Sequence, residues 1–194
     1  MGFAIAERFA SLGAKVILIA GPVSLKCNNP MIHRIDVVSA EEMYTQALQY
    51  FGECQGAVMV AAVADFTPVI VDSQKIKRTS ENFSIELRPN PDIAASLGKL
   101  KRSNQILVGF ALETNNEDQN ALLKLQRKNL DLIVLNSLND NGSGFQYDTN
   151  QIKLLDKTGV IFTSGLKQKR EIAVDIVNKI IEAENFITGL SWNL

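Results

Sequence analysis

A run of small residues leads to a carboxylate in residues 56–68, which read GAVMVAAVADFTP. The bulky apolar start of this run is typical of a buried strand, and the side chains shrink to alanine before Asp65. Small side chains at a strand end would let a flat ligand approach the backbone. Asp65 could then accept hydrogen bonds from a ribose or support a divalent cation. A tightly packed strand end followed by a turn aspartate would give the same pattern.

A short basic segment follows Asp65. Residues 72–79 read DSQKIKRT, in which Lys75, Lys77 and Arg78 lie close together without helical periodicity. Such a loop could close over a triphosphate, because each cation offsets negative charge more strongly where water is excluded. A solvated charged loop has the same composition, but the position of this one after Asp65 favours the functional interpretation.

Three further patterns suit an anion or an aromatic base. The segment Asn-Pro-Asp-Ile predicts a helix start with Asn90 as N-cap and Pro91 at the first helical position, and helix starts offer free N–H groups to anions. Phe110, near the end of a strand-like run, could stack on a base or fill the core. Lys124 and Lys128 lie four residues apart on a predicted helix, where a bound anion would relieve their repulsion.

Alternating strand-like and helix-like segments must position these residues. The predicted strands are residues 15–20, 33–38, 56–63, 83–88, 106–112 and 130–135. The predicted helices are 4–12, 40–51 with Ser39 as its N-cap, 91–100 and 117–128. This alternation predicts a parallel sheet covered by helices on both faces. The candidate residues that follow the strands would therefore converge at one edge of the sheet.

The last third of the chain changes character. Two apolar runs flank the turn at residues 156–159, which predicts a β-hairpin with a positive φ at Gly159, and an amphipathic helix is predicted over 168–183. The fold class is therefore α/β: a Rossmann-like, doubly wound, mostly parallel sheet with helices on both faces and a C-terminal β-hairpin extension. We predict a single domain over residues 1–187 and a tail over 188–194.

Composition argues against several classes of protein. The 194 residues carry 20 basic and 21 acidic side chains, so the sequence indicates no basic surface for nucleic acid. No apolar run is long enough to span a membrane. Two distant cysteines and one histidine argue against a zinc site, a disulfide framework or Ser–His catalysis. We therefore expect a cytoplasmic protein without nucleic-acid or membrane partners.

Taken together, these residues resemble the synthetase half of the bacterial coenzyme A biosynthesis flavoprotein, phosphopantothenate–cysteine ligase. The resemblance is carried by MGFAIAERFASLGAKVILIAGPVSL, AAVADFTP, KIKR, NPDI, GFALET, the spacing K-x-x-x-K-N-L-D-L-I-V-x-N, and GFQYDTN followed by a hairpin. It covers roughly residues 1–182 in unbroken order. The family's first strand, glycine-rich phosphate loop and Asn-x-Ser-Ser-Gly-Lys stretch would precede Met1, so we expect an N-terminally incomplete domain whose activity depends on them.

The resemblance implies a two-step ligation in coenzyme A biosynthesis. CTP, with Mg²⁺, activates the carboxylate of 4′-phosphopantothenate as an acyl-cytidylate and releases pyrophosphate, and the amine of cysteine then displaces CMP. The resemblance implies that Lys75 is catalytic, on a flexible flap, and it assigns no side chain to the metal. The residues implied in CTP binding are Ala61, Ala62, Val63, Asp65, Asn90, Pro91, Asp92, Ile93, Phe110, Lys124 and Lys128.

The resemblance also implies a homodimer, for which we predict a contact within residues 144–163, and no flavin, because the decarboxylase half has no counterpart in these residues. Two alternatives stay open. An NAD(P)-dependent Rossmann oxidoreductase would need a GxGxxG turn and a Tyr-x-x-x-Lys pair, which this sequence lacks. A catalytically silent nucleotide-binding or dimerisation module would keep the sheet without the phosphate loop.

Overall fold

The fold comes from a computed structural model that describes residues 1–72, 74–77, 83–113, 115–137 and 148–188. The helices are α1 Gly2–Ser11, α2 Ala40–Phe51, α3 Ile93–Leu100, α4 Glu117–Arg127 and α5 Lys169–Thr188. The strands are β1 Val16–Ala20, β2 Ile32–Asp36, β3 Gly56–Met59, β4 Phe66–Pro68, β5 Leu87–Pro89, β6 Ile106–Glu113, β7 Leu132–Ser137, β8 Thr149–Asn150, β9 Ile152–Asp156, β10 Gly159–Thr163 and β11 Lys167–Gln168.

A five-stranded sheet in the order β10-β9-β7-β6-β3 forms the centre of the fold. β3, β6 and β7 run parallel, with Met59 paired to Gly109 and Val108 paired to Leu132. β9 joins β7 antiparallel and β10 joins β9 antiparallel, so the hairpin extends the parallel strands at one edge. β1 and β2 form a separate parallel pair.

Helices cover both faces of this sheet because its strands alternate their side chains. Ile106, Val108, Leu132 and Val134 face one hydrophobic cluster, which they share with residues of α1 and α5. The neighbouring positions Leu107, Ile133 and Leu135 face the opposite cluster, which they share with residues of α2, α3 and α4. The predicted fold class, an α/β sheet with helices on both faces and a C-terminal hairpin, is confirmed.

Local signals define several element ends as predicted. Ser39 is the N-cap of α2, where its hydroxyl accepts a hydrogen bond from the Glu42 N–H at 3.1 Å. Glu42 in turn accepts the N–H of Val38 at 2.9 Å. Gly159 opens β10 with φ +126°, the positive value that the hairpin turn requires.

Several predicted boundaries were wrong, and three of them have a clear physical reason. The strand expected over 56–63 ends at Met59, since β6 pairs with it only that far and then continues along β7, and alanine favours strands weakly. The strand expected over 83–88 is reduced to β5, which pairs antiparallel with β4 outside the central sheet. Helix α4 ends at Arg127, with Lys128 as its C-cap, because Asn129 takes a left-handed φ of 52°.

Among the described helices, none is both long enough and apolar enough to cross a membrane.

Candidate functional site

The predicted convergence of strand ends is present. β3, β6 and β7 are parallel neighbours, so the chain leaves all three at the same edge of the sheet. Beyond β3, Ala61 and Ala62 are exposed and Val63 is half-buried. A segment of small side chains therefore lies accessible at the carboxyl edge of the sheet, as the sequence predicted, although it lies past the strand rather than on it.

Asn90 joins the start of α3 to this small-residue segment. Its side-chain amide donates to the Ala64 carbonyl oxygen at 2.8 Å, and its backbone N–H donates to the Asp65 carbonyl oxygen at 2.8 Å. These two bonds hold Ala64 and Asp65 against residue 90, so two parts of the chain that are distant in sequence form one wall of the site.

The prediction that Asn90 caps α3 and that Pro91 is its first helical residue was wrong. Asp92 is the N-cap, and its carboxylate accepts the Ala95 N–H at 3.0 Å. Asn90 instead lies at the base of the β4–β5 pair, where its side-chain amide and its backbone N–H donate to Ala64 and Asp65, so the helix begins beyond Pro91. Ile93 is the first residue of α3 and is half-buried.

Asp92 also binds Lys128, which lies just past the end of α4. The Lys128 ammonium is 3.0 Å from one carboxylate oxygen of Asp92 and 3.1 Å from the other. Burial raises the pKa of Asp92, but the Ala95 N–H, the hydrogen bond and charge of Lys128, and the charge of Arg127 outweigh burial. The pKa of Asp92 therefore lies below its ordinary value, and this carboxylate is charged at neutral pH.

This depressed pKa predicts an acid dependence of stability. A carboxyl whose pKa is lower in the folded state stabilises the fold above its ordinary pKa of 3.8, and the contribution disappears as the pH falls through the folded value. An asparagine side chain at this position would keep a capping oxygen but carry no charge. We therefore expect Asp92→Asn to lose less stability between pH 5 and pH 3 than the unaltered protein does, and the difference should be at most about 1 kcal/mol for a half-exposed pair. Urea midpoints at both pH values measure this, and parallel curves for the two proteins would contradict it.

Lys124 has a different acidic partner. Its ammonium forms an ion pair with Glu113, the largely buried last residue of β6. Asn120 donates to the second oxygen of Glu113 at 3.4 Å and to the Asn115 carbonyl oxygen at 2.9 Å. The expected repulsion between Lys124 and Lys128 is therefore offset, because each of the two lysines has its own carboxylate.

A surface groove runs along α4 beside this ion pair. The residues that line it are Glu113, Asn120, Leu123, Lys124 and Arg127. Glu113 and Arg127 were not predicted as site residues. The only sequence signal for Glu113 was a carboxylate at the end of a strand, and Arg127 gave none that distinguished it from a solvated helical arginine.

Phe110 lies on β6, opposite Val134 of β7, and is half-buried against the cluster that α1 and α5 cover. Part of the ring thus fills the core, and the remainder is accessible.

Lys75 and Lys77 are exposed in the loop beyond β4. Arg78, the last residue of the KIKR stretch, lies outside the described residues.

The described residues place no group of three or more histidine, cysteine or acidic side chains together. Mg²⁺ usually keeps several waters and binds through one or two carboxylates plus the phosphates of a nucleotide. The exposed carboxylate of Asp65 fits that lighter demand, whereas Asp92 is occupied by Lys128. The site is therefore better suited to a metal ion that is already bound to a nucleotide than to one held by protein side chains alone.

Comparison with known proteins connects this geometry to a family. The family described as the DNA/pantothenate metabolism flavoprotein C-terminal domain matches residues 1–183. The coenzyme A biosynthesis bifunctional protein CoaBC of Haemophilus influenzae is 47% identical over 182 residues, which are 94% of this chain and 45% of that protein. A protein of an unknown prokaryotic organism, named cysteine/cysteine sulfinic acid decarboxylase, is 52% identical over 181 residues, 93% of this chain and 50% of that protein. The chain spans about half the length of these curated relatives.

Solved structures agree with the sequence comparisons. The crystal structure of the C-terminal domain of CoaBC has a TM-score of 0.78 and 33% identity, and the match covers 97% of this chain and 83% of that one. The DNA/pantothenate metabolism flavoprotein of Streptococcus pneumoniae, at 22% identity and a TM-score of 0.77, shares the fold. The resemblance inferred from the sequence is confirmed, and this chain belongs to the family of DNA/pantothenate metabolism flavoprotein C-terminal domains.

Proposed function

We propose that this domain carries the CTP-dependent ligation of 4′-phosphopantothenate to cysteine in coenzyme A biosynthesis. One observation supports it above the others: a continuous line of contacts joins residues that the family resemblance assigns to one nucleotide site. Asn90 binds Ala64 and Asp65, and Asp92, two residues further on, binds Lys128. Residues from three separate parts of the chain thus form a single surface at the carboxyl edge of the sheet.

The charges of this surface suit a triphosphate. Lys128 is paired with a half-exposed carboxylate and Lys124 is itself partly exposed, so phosphate oxygens can reach both ammonium groups. A phosphate group carries more negative charge than the single carboxylate it would replace, which favours the exchange of partners. Exposed Asp65 would accept hydrogen bonds from the ribose, and the accessible part of Phe110 would contact the base.

The chemistry then needs two displacements. A carboxylate oxygen of 4′-phosphopantothenate attacks the α-phosphorus of CTP, the bond to pyrophosphate breaks, and an acyl-cytidylate forms. The cysteine amine attacks the acyl carbon, loses a proton, and CMP leaves with its bonding electrons. Mg²⁺ would supply charge neutralisation on the departing phosphates. Lys75, on an exposed loop that can fold back over the strand ends, would stabilise the charge that develops during activation.

The same proposal includes the cellular setting. We expect the protein to act in the cytoplasm as a homodimer, with small molecules as its substrates, no nucleic-acid or membrane partner, and no flavin bound by this domain.

Nucleotide selectivity is the direct test. In thermal-shift titrations of the full-length gene product, we expect CTP to raise the melting temperature more than ATP, GTP or UTP, because the family resemblance implies CTP and the small-residue segment leaves its backbone open to a base. Equal shifts with ATP would contradict cytosine selectivity. Stabilisation by NAD(P) instead would support the oxidoreductase alternative.

Product analysis tests the reaction itself. With 4′-phosphopantothenate, cysteine and CTP, the proposal predicts equal amounts of CMP, pyrophosphate and phosphopantothenoylcysteine. Binding of CTP without these products would favour a silent module. Release of carbon dioxide from cysteine without CMP would instead match the activity named for the decarboxylase relative.

A further inference from the structure

Glu113 lies at the carboxyl edge of the sheet, against helix α4. It is the last residue of β6, whose side chains alternate between the two faces of the sheet. Leu107 and Ala111 of this strand belong to the hydrophobic cluster that α4 helps to cover, and Glu113, two residues beyond Ala111, continues the same face. The strand therefore places a carboxylate next to an apolar cluster and beside the helix that carries Lys124.

Two residues of α4 hold this carboxylate, one at each oxygen. The Lys124 ammonium forms an ion pair with Oε1, and the Asn120 side-chain amide donates to Oε2 at 3.4 Å. Asn120 and Lys124 are four residues apart, so they lie on the same side of the helix. The Asn120 amide also donates to the Asn115 carbonyl oxygen at 2.9 Å, which ties this contact to the turn before α4. Glu113 thus has little freedom to move away from Lys124.

The neighbouring ion pair, between Asp92 and Lys128, has the opposite distribution of exposure. The side chain of Glu113 is 13% exposed, and that of its partner Lys124 is 41% exposed. Asp92 is 45% exposed, and its partner Lys128 is 22% exposed. The carboxylate is therefore the inner member of the first pair and the outer member of the second.

This difference decides which lysine can exchange its partner. A carboxylate that loses its cation must be solvated by water, which costs far less for an exposed group than for a buried one. Phosphate oxygens can therefore displace Asp92 from Lys128, whereas Glu113 would be left as a buried, unpaired charge and keeps Lys124. An ammonium group has three N–H donors, so the contact with Glu113 leaves two donors of Lys124 for an anion on its exposed side.

We propose that Glu113 is a positioning residue for nucleotide binding, a role that rests on the proposed function. It stays bound to Lys124 in the complex and fixes the direction in which this ammonium meets the triphosphate, whereas Asp92 releases Lys128 to a phosphate oxygen. A lysine that is held in place before the ligand arrives loses less side-chain freedom on binding, which increases affinity. Glu113 acts through Lys124 and makes no contact of its own with the nucleotide.

The charge of Glu113 by itself predicts the opposite effect on affinity. A carboxylate close to a triphosphate repels it, so removal of that charge would strengthen binding if net charge alone mattered. Loss of a positioning residue weakens binding instead. The sign of the change caused by one neutral substitution therefore distinguishes the two roles.

Glu113→Gln and Asp92→Asn form a matched pair for this measurement. Each replaces a carboxylate with an amide of the same shape, and each takes the acidic partner from one of two lysines four residues apart. In isothermal titration of the full-length gene product with CTP, we expect Glu113→Gln to raise Kd at least about fivefold, the effect of one partly exposed ion pair. We expect Asp92→Asn to leave Kd unchanged or to lower it by up to about threefold, because it removes only a competing charge.

Two results of this titration would contradict the proposal. Unchanged or tighter binding of CTP by Glu113→Gln would overturn the positioning role of Glu113. Weaker binding by Asp92→Asn would overturn the exchange of partners at Lys128.

A double substitution tests whether Glu113 acts through Lys124. If it does, Glu113→Gln combined with Lys124→Gln should bind CTP as Lys124→Gln alone does, within about twofold. Losses that multiply would show that Glu113 contributes by another route, and would overturn the proposal. Melting temperatures of each variant without nucleotide separate a loss of folded protein from a loss of affinity.

Should Glu113→Gln misfold, Glu113→Asp provides a second test. Aspartate keeps the charge but is shorter by one methylene group, so it cannot hold Lys124 and Asn120 in the same places, and we expect a loss of affinity of similar size. Binding of CTP by Glu113→Asp as tight as that of the unaltered protein would also overturn the role of Glu113. Failure of the unaltered protein itself to bind CTP would instead refute the proposed function, on which this role depends.

Discussion

Lys75→Ala is expected to lower the rate of phosphopantothenoylcysteine formation by roughly two or more orders of magnitude, the scale of one lost electrostatic donor at a transition state. Lys75 is exposed and lies ten residues after Asp65, so its loop is long enough to fold back over the strand ends. An exposed lysine contributes little to stability, so the melting temperature should stay the same. The measurement is the turnover rate of the full-length gene product with CTP, 4′-phosphopantothenate and cysteine.

Lys77→Ala is the matched control for this prediction. It removes the same charge from the same exposed loop, two residues further on. General attraction of a triphosphate by an exposed charge is weakened by salt, so we expect Lys77→Ala to cost less than about tenfold at physiological ionic strength. Equal losses in both variants would mean that the loop acts only through its total charge. Near-normal turnover in Lys75→Ala would show that the loop is a solvated surface segment.

Gly98→Ala is expected to lower the free energy of unfolding by about 3 kcal/mol, the upper end of the usual cost of overpacking. Gly98 lies inside α3, where alanine is intrinsically better than glycine by about 1 kcal/mol, so helix propensity alone predicts stabilisation. The structure reverses the sign. An added Cβ would overlap the carbonyl oxygen of Lys128, and would lie 3.0 Å from the Lys128 carbonyl carbon and 3.3 Å from the Asn129 Cβ.

The clash is expensive because its neighbours are backbone atoms that hold α3 against the end of α4. Asn129 donates its side-chain amide to the Gly98 carbonyl oxygen at 2.8 Å, from a left-handed φ of 52°. Moving this turn would shift Lys128 away from Asp92, so we expect Gly98→Ala to weaken CTP binding as well as stability. Urea denaturation and nucleotide titration measure the two effects separately.

Gly52→Ala is the control for a glycine that nothing constrains. Gly52 is the C-cap of α2 with φ −60° and ψ −26°, and an added Cβ would meet no atom within 4 Å. We expect this change to be neutral or to stabilise the protein by up to about 1 kcal/mol, through the unfolded chain. Stabilisation by Gly98→Ala of the same size would show that the close approach of α3 and α4 is absent in solution.

The sequence by itself determined the fold class and most of the elements. Strand and helix periodicity found the three parallel strands of the central sheet, and the Ser39 cap and the Gly159 turn were predicted correctly because each depends on residues only a few positions apart. Family-specific stretches also predicted the family, since their order along the chain is itself sequence information.

Only the tertiary structure showed which contact is made where a residue had more than one possible partner. Asn90 and Asp92 are both good N-caps, and only the position of Ala64 shows that Asn90 is engaged elsewhere. Residues 83–88 alternate like a strand of the main sheet, yet only the last two of them belong to a strand, and that strand pairs with β4 in a separate two-stranded sheet. Glycine is unfavourable inside a helix, and only the position of the Lys128 carbonyl shows why residue 98 has no room for a Cβ. Hydrogen-bond partners and packing neighbours that are distant along the chain leave no local pattern, so the sequence could predict the elements but not these contacts between them.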